Sequence, residues 1–275
     1  MVNANLFGKT LEAVAIDRLK MFEESALCMA DDGYYVAYSC GKDSDVILDL
    51  VRRSGVKYTA HHSLTTADPP EVVWHVKAQP DVEIHRPKHT MWQLIRRKQC
   101  PPRRNLRYCC ETQKESGGTD HLVITGIRWA ESSARAARGM VESCYKDPSK
   151  KYLNLIIDWS TDDVWSYIRG YEIKVCSLYA EGFTRLGCVL CPMVRDVEKH
   201  IKRWPQIARA WERAIKATYN PAKDVYESAE AYWKWWLNRD AVSTNASGIP
   251  VREGRQGQQP LPFQSKTQNR KSKGG

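Results

Sequence analysis

The chain has 275 residues, 42% of them hydrophobic, and carries a formal net charge of +10. This hydrophobic fraction is sufficient for a packed core and excludes a wholly disordered protein. No apolar run approaches the roughly 20 residues that a membrane-spanning helix needs, so no membrane partner is expected.

Helix-like and strand-like segments alternate through the first half of the chain. From Gly8 to Leu27, apolar residues recur at helical spacing between charged residues, which predicts an amphipathic helix rather than a secretion signal, and hence a cytoplasmic protein. Strands are predicted at 34–39, 56–63, 82–85 and 121–125, and helices at 43–53, 70–78 and 90–98. This alternation predicts an α/β fold, in which helices flank a parallel twisted sheet.

The second half of the chain is predicted to be mainly helical. A further apolar run at Asn154–Ile157 is followed by Ser160, which is suited to cap a helix. The tryptophan-rich segment Val194–Asp240 is predicted to be a helical subdomain with buried aromatic residues. The predicted domains are an N-terminal helix (1–30), an α/β domain (31–193), this helical subdomain (194–241) and a disordered basic tail (242–275).

The positive charge is partly local. Between Val242 and Gly275 there are six basic residues and one acidic residue, so this segment supplies +5 of the total. The remaining charge suits a protein that binds polyanions such as nucleotides or nucleic acid, although solubility alone would explain it equally well.

The segment Ser39–Ser44, with the sequence SCGKDS, lies between a predicted strand and a predicted helix. Backbone N–H groups in such a turn, together with the N-terminus of the helix, attract phosphate or pyrophosphate. Gly41 allows the backbone to approach a ligand closely, Lys42 supplies a charge, and Asp43 would hold Mg²⁺ or orient the loop. An ordinary strand-to-helix turn is the alternative, but the combination of lysine, aspartate and two serines favours a phosphate-binding loop.

This loop resembles the Ser-Gly-Gly-x-Asp-Ser loop of the ATP pyrophosphatase (PP-loop) superfamily, with Cys40 where that superfamily usually has glycine. The segment Thr65–Glu71 is similar to the Thr-Gly-x-x-x-Pro-Glu segment of the phosphoadenosine phosphosulfate (PAPS) reductase family, with Ala67 in place of the family's glycine. The segment Gly126–Arg135 resembles that family's Gly-x-Arg-x-x-Glu-Ser-x-x-Arg segment.

Two later segments, Asp158–Trp165 and Leu178–Pro192, follow the same family's pattern in the expected order. The resemblance implies an adenine nucleotide alpha hydrolase-like fold and a nucleotide-binding domain at 31–193. It implies that Lys42 and Asp43 are catalytic and that Arg128 and Arg135 hold the substrate anion. A solvated charged helix is the alternative for the two arginines. The residues expected to bind the nucleotide are Ser39, Cys40, Gly41, Lys42, Asp43, Ser44, Thr66, Gly126 and Arg128.

The cysteine spacing predicts a metal site. The nine cysteines are odd in number and follow no secretion signal, so a disulfide framework is not expected. The adjacent pair Cys109 and Cys110, together with Cys188 and Cys191 in a Cys-x-x-Cys motif, suggests four thiolate ligands, which both [4Fe–4S] clusters and Zn²⁺ accept. Adjacent ligands strain a single tetrahedral Zn²⁺ ion more than a larger cluster, which favours iron–sulfur.

The same arrangement resembles the [4Fe–4S] site of adenylyl-sulfate reductases. Two further cysteines, Cys144 and Cys176, remain open as alternative ligands or redox thiols. No cysteine follows Cys191, and the Glu-Cys-Gly segment that supplies the nucleophile of assimilatory sulfonucleotide reductases is missing from the sequence. The usual route of sulfate reduction therefore lacks its thiolate.

The resemblance then favours iron–sulfur enzymes that cleave ATP, adenylate an acceptor and transfer sulfur to it. The ligands implied are ATP (or adenylyl sulfate or PAPS), Mg²⁺ and a [4Fe–4S] cluster. The partners implied are a nucleic-acid acceptor and a sulfur-donor or thiol-reductant protein. One alternative is a sulfonucleotide reductase that releases sulfite with a thiol from Cys144, Cys176 or a partner. Another is a nucleotide-binding, redox-sensing module.

Overall fold

The computed structural model describes residues 8–238, and the basic tail predicted at 242–275 lies outside them. The strands are β1 (Tyr34–Ala37), β2 (Tyr58–Ser63), β3 (Val82–His85), β4 (Leu122–Thr125), β5 (Val141–Ser143) and β6 (Lys151–Asn154). The helices are α1 (Leu11–Met29), α2 (Lys42–Ser54), α3 (Pro70–Lys77), α4 (Met91–Lys98), α5 (Tyr108–Gln113), α6 (Ser133–Ala136), α7 (Thr161–Gly170), α8 (Val197–Arg203), α9 (Pro205–Lys216) and α10 (Ala229–Leu237). Single 3₁₀ turns form at Trp129–Glu131 and Ser177–Tyr179.

The strands form one sheet in the order β3-β2-β1-β4-β6-β5. Every neighbouring pair is parallel except β5 and β6, which are antiparallel. The chain moves outward from β1 to β2 and β3, then returns to place β4 on the other side of β1. The direction of winding therefore reverses between β1 and β4. The predicted α/β fold with a parallel sheet and flanking helices is confirmed.

Helices α1 and α2 contact each other and the strands at the centre of the sheet, and α7 packs against α2. The β-branched and aromatic residues of β1 and β4 are buried there, including Tyr34, Val36 and Ile124. A bidentate ion pair between Arg18 of α1 and Asp158, with one contact at 2.6 Å, ties the first helix to the turn before α7. The N-terminal amphipathic helix is thus part of the main core.

Helix caps account for several of the element boundaries. The hydroxyl of Ser160 accepts a hydrogen bond from the backbone N–H of Asp163, which confirms the predicted cap of α7. The Thr90 hydroxyl and the Gln93 side chain form a reciprocal capping box at the start of α4. These caps satisfy N–H groups that a helix cannot pair internally.

The tryptophan-rich segment forms α8, α9 and α10 rather than one continuous helix. Trp204, Trp211 and Trp236 are buried, so the prediction that they pack in a core is confirmed. Helix α9 also packs against α4 of the α/β region. Between residues 8 and 238, no helix is long and apolar enough to cross a membrane.

Candidate functional site

The predicted phosphate loop lies where the winding of the sheet reverses. The loop Ser39–Ser44 leaves the carboxyl end of β1, and Gly126 and Arg128 follow the carboxyl end of the neighbouring strand β4. In open α/β sheets, the strands on either side of such a reversal diverge at their carboxyl ends and leave a crevice that binds ligands. The topology therefore brings together two segments that lie more than 80 residues apart in sequence.

The loop backbone turns sharply at Cys40, which has a φ of +63° and is fully buried. Gly41 then serves as the N-cap of α2 without any side-chain cap. Within the described part of the chain, the backbone N–H groups of Cys40 and Gly41 have no hydrogen-bond partner. Unpaired amides beside the N-terminus of a helix form a donor surface suited to an anion.

One loop amide is already occupied. The backbone N–H of Lys42 donates a hydrogen bond of 2.8 Å to the hydroxyl of Tyr179, at the end of the second 3₁₀ turn. Burial raises the pKa of this tyrosine, so its hydroxyl stays protonated. Tyr179 lies in the segment that resembles the family's cysteine-bearing segment, but nothing in the local sequence indicates its contact with the loop.

Asp43 lies between two cations. One carboxylate oxygen contacts the ammonium of Lys42 at 2.9 Å, and the other accepts a hydrogen bond from Nε of Arg128 at 2.7 Å. Arg128 is only 1% exposed, and its Nη1 donates to the carbonyl of Trp159 at 3.2 Å. The structure thus uses Arg128 to fix Asp43, and a substrate anion would have to share this guanidinium with the carboxylate.

Gly126 has a steric role in this network. A Cβ atom at this position would lie 3.1 Å from the Cβ of Asp43 and 3.4 Å from Cδ1 of Ile47. The first of these distances is shorter than ordinary van der Waals contact. The close approach of the β4 end to the start of α2 therefore depends on glycine.

The second predicted arginine, Arg135, lies on α6. It is half exposed and forms an ion pair with Glu131 one helical turn earlier. Its proposed role with the substrate anion stays a prediction, and the observed pair matches the alternative of a charged helical surface.

The loop after β2 also adopts a left-handed backbone. Thr66 has a φ of +65°, whereas Ala67 is not left-handed and is fully buried. The left-handed conformation is therefore found at Thr66. It was expected one residue later, at Ala67, where the family has glycine. The Thr66 hydroxyl accepts a hydrogen bond from the backbone N–H of Met91 at 2.9 Å, which holds this turn against α4.

A cavity of about 350 Å³ opens beside this turn, at the carboxyl ends of β2 and β3. Its lining residues are Leu64, Thr66, Asp68, Val73, Arg86 and Pro87. The volume lies within the range of small-molecule sites, and the cavity is on the same edge of the sheet as the phosphate loop. Arg86, which is exposed, adds a positive charge that the sequence did not single out.

The four cysteines predicted to bind a metal come from two distant segments. Cys109 and Cys110 lie on α5, and Cys188 and Cys191 lie in the loop before α8. The pKa of the Cys110 thiol is lowered to about 6, because it accepts a hydrogen bond from Cys109 and lies near the cations Arg107 and Lys114. The same hydrogen bond, with burial, raises the pKa of Cys109, and Cys188 and Cys191 are near enough to add to that effect. The fold thus gathers the four thiols in one region.

The four thiols are not grouped closely enough in this structure to hold one ion. Among the residues that the structure describes, no three of the four sulfur atoms lie within 4.8 Å of one another. Four thiolates around one Zn²⁺ ion at about 2.3 Å would be about 3.8 Å apart, whereas a larger cluster holds its ligands farther apart. Four thiolates are the donor set of a [4Fe–4S] cluster, and a Zn²⁺ ion would need the sulfur atoms to move closer together.

Polar groups surround the buried thiol of Cys188. The hydroxyl of Thr65 lies 3.2 Å from its sulfur, and a carboxylate oxygen of Asp68 lies 4.0 Å away. Lys114 is close enough that the negative charge of a Cys188 thiolate raises the pKa of its ammonium. A nearby cation of this kind favours thiolates and the negative charge of a thiolate-bound cluster.

The two remaining candidate thiols lie elsewhere. Cys176 is buried beside Cys40, and the neighbouring Cys40 thiol lowers the pKa of Cys176 to about 7, while that thiol donates a hydrogen bond to the carbonyl of Val72 at 3.6 Å. Cys144 follows β5, and its sulfur lies 3.5 Å from the hydroxyl of Tyr152. Each thus has a partner apart from the four-cysteine region.

Comparison with known proteins adds independent findings. Residues 33–194 match the phosphoadenosine phosphosulfate reductase domain. An uncharacterized protein of Methanocaldococcus jannaschii is 27% identical over 220 residues, which cover 73% of this chain and 45% of that protein. The adenosine 5'-phosphosulfate reductase of Staphylococcus epidermidis is 27% identical over 204 residues, 68% of this chain and 82% of that enzyme.

Among solved structures, the phosphoadenylyl-sulfate reductase of Candida auris aligns with a TM-score of 0.43 and 16% identity, over 68% of this chain and 97% of that one. The chain spans less than half, 45%, of the length of the M. jannaschii relative.

Proposed function

The chain belongs to the phosphoadenosine phosphosulfate reductase family, and from this premise we propose that it binds an adenine nucleotide and catalyses adenylation-linked sulfur transfer. The observation that carries the proposal is the phosphate loop at the reversal between β1 and β4, with unpaired amides at Cys40 and Gly41. The nucleotide's phosphates would bind these amides and the ammonium of Lys42. Its adenosine moiety would extend toward the cavity beside Thr66.

In the proposed first step, an oxygen of the acceptor attacks the α-phosphorus of ATP. An O–P bond forms, the bond to pyrophosphate breaks, and the acceptor oxygen loses its proton to water. Lys42 and the loop amides would stabilise the negative charge that develops on the leaving pyrophosphate. Asp43, whose carboxylate Arg128 orients, would supply an oxygen ligand for Mg²⁺.

In the second step, a hydrosulfide ion attacks the activated carbon of the acceptor, a C–S bond forms, the C–O bond breaks and AMP leaves with the former acceptor oxygen, while the new thiol keeps the hydrosulfide proton. Cys109, Cys110, Cys188 and Cys191 would hold the [4Fe–4S] cluster, which would supply a site for binding or relaying sulfur. Lys114 would balance the negative charge there. The net positive charge of +10 suits a nucleic acid as the acceptor.

The test is pyrophosphate release from Mg²⁺-ATP by anaerobically purified protein in the presence of candidate nucleic-acid acceptors, with nucleotide binding measured in parallel. We expect Lys42→Ala to lower turnover by about 10²–10³-fold, because a preorganised charge is lost where negative charge develops. Circular dichroism should be unchanged. Lys20→Ala, which alters an exposed lysine of α1, is the matched control and should behave like the wild type.

Iron and sulfide should be measured on the same preparation. A colourless, zinc-containing protein would remove the cluster from the proposal and leave the nucleotide site to be judged by binding alone. If Lys42→Ala binds and turns over nucleotide as well as the wild type, the assignment of the phosphate loop is wrong.

A further inference from the structure

Three potential metal ligands converge on one face of the sheet, in a region that the proposed sulfur chemistry does not use. His61 lies on β2, and Glu83 and His85 lie two residues apart on β3, so all three side chains share a face. One ligand atom from each residue lies within 4.8 Å of the other two. We propose that His61, Glu83 and His85 form a second metal site, which binds a divalent transition-metal ion such as Zn²⁺.

The donor set selects the class of ion. Two imidazole nitrogens and one carboxylate are typical ligands of Zn²⁺ and of other first-row divalent ions, whereas Mg²⁺ and Ca²⁺ prefer oxygen ligands throughout. Three protein ligands leave at least one coordination position for water. The site is thus of the open kind, unlike a closed four-cysteine structural site.

The spacing is close to what such an ion requires. Ligands about 2.0 Å from a tetrahedral Zn²⁺ ion are about 3.3 Å from one another. Nδ1 of His61 lies 3.5 Å from a carboxylate oxygen of Glu83 and 2.8 Å from Nε2 of His85. An ion therefore needs the two imidazoles to separate by about half an ångström and the exposed ring of His85 to turn its nitrogen toward the ion, while the His85-to-Glu83 edge of the triangle is already within 4.8 Å.

The contact of 2.8 Å between the two imidazoles is itself a hydrogen bond, so one ring holds a proton that points at the other nitrogen. A metal ion would replace this proton and satisfy both nitrogens. The ring of His61 also stacks on Tyr35, with centroids 4.1 Å apart, which limits how far it can rotate. The orientation of the first ligand is thus fixed by packing before any ion binds.

The proposed metal site is accessible to solvent and lies between two neighbouring strands. The side chains of Glu83 and His85 are 65% and 42% exposed, so an ion can enter from solvent. Strand β3 lies at the edge of the sheet and pairs only with β2 among the described strands. An ion held by both strands would cross-link the edge strand to its neighbour, beside the end of β3 from which Arg86 enters the candidate nucleotide cavity.

The experiment is a titration of the full chain with Zn²⁺ by calorimetry and with Co²⁺ by absorption spectroscopy, under anaerobic conditions. We expect the wild type to bind one equivalent more than Glu83→Gln or His85→Gln, or to bind it at least 10–100-fold more tightly, since even the loss of an outer-sphere partner has that effect. The lost equivalent should lack thiolate-to-cobalt charge-transfer absorption, which distinguishes it from ions held by the cysteines.

His121→Gln is the matched control, because His121 also lies near Tyr35 but bonds to Asp32 instead of the three ligands. Zn²⁺ should raise the melting temperature of this variant and of the wild type by more than that of the two ligand variants, in which only the cysteines can still bind the ion. Glu83→Gln changes an exposed side chain and should fold even if His85→Gln does not. Equal stoichiometry and affinity in the wild type and Glu83→Gln would overturn the second metal site and leave the nucleotide site untouched.

Discussion

Cys40 combines two opposing effects in one residue. Its φ of +63° is uncommon for any residue other than glycine and costs about 1–2 kcal/mol, but its side chain is fully buried. Replacement by glycine relieves the strain, removes the buried thiol and increases the freedom of the unfolded chain. We therefore expect Cys40→Gly to change the free energy of unfolding by less than about 1 kcal/mol and to keep nucleotide binding. Urea denaturation and nucleotide titration measure the two quantities.

Cys40→Val, compared with Cys40→Gly, tests whether this position has the left-handed backbone. A β-branched side chain is a steric outlier at this φ, and its added volume has no space in a fully buried position. Destabilisation of about 2–4 kcal/mol is expected. If valine is tolerated and glycine is not, the backbone assigned to this loop is wrong.

At the level of single residues, the sequence identified the candidate loop but not its contacts. The order of residues in Ser39–Ser44 could be compared with a known loop, so its members could be named in advance. The contact between Tyr179 and the amide of Lys42 joins residues that are far apart in the chain, and no local pattern carries that information. The left-handed conformation fell on Thr66 rather than Ala67, because neither side chain reveals its own φ.

At the level of elements, the fit between the end of β4 and the start of α2 depends on Gly126. An alanine there would press its Cβ against that of Asp43, which is attached to helical backbone and has little room to move. We expect Gly126→Ala to lower the free energy of unfolding by about 1–3 kcal/mol. It should also weaken nucleotide binding, since Asp43 would shift from Arg128. Denaturation and nucleotide titration test both effects.

Gly170 provides a control at which alanine is expected to raise the free energy of unfolding instead of lowering it. It ends α7, is exposed, and an added Cβ would meet no atom within 4 Å. Gly170→Ala should therefore stabilise the protein by up to about 1 kcal/mol and leave nucleotide binding unchanged. Equal effects of the two alanine substitutions would contradict the steric role assigned to Gly126.

The elements that could be predicted are those with a strong repeating pattern. Strands β1 to β4 and helices α2 to α4 combine runs of β-branched or aromatic residues with turns between them, and their predicted ranges overlap the observed ones. The hairpin of β5 and β6 was missed. Its strands have three and four residues, largely polar, and exist because β6 pairs with β4 and β5 pairs with β6. Helix α5, which carries Cys109 and Cys110, is too short for helical periodicity to be recognised.

At the level of the whole molecule, the alternation of strands and helices predicts a parallel sheet, but not which strand follows which across it. The order β3-β2-β1-β4 is what brings the ends of β1 and β4 together and thereby joins Asp43 to Arg128. The convergence of His61, Glu83 and His85 likewise depends on the register between β2 and β3. Both sites therefore depend on which strands pair and in which register. The periodicity of a single sequence does not give this information.

The helical region and the cysteine loop are linked through Trp211, which tests whether the molecule behaves as one unit. Trp211 is fully buried in α9, and its indole N–H donates a hydrogen bond of 2.8 Å to the carbonyl of Val189, between Cys188 and Cys191. Trp211→Phe removes this hydrogen bond and leaves a space beside the loop, so we expect a loss of about 2–3 kcal/mol in unfolding free energy. If the four cysteines hold a cluster, the loosened loop should also lower the iron content per chain.

Trp235→Phe is the control, because Trp235 stacks on Tyr226 and Tyr232 instead. This substitution should lower the free energy of unfolding by less than about 1 kcal/mol and leave the iron content unchanged. Denaturation curves and iron analysis of the two variants distinguish this coupling from a general loss of packing, in which both variants would lose stability and iron alike.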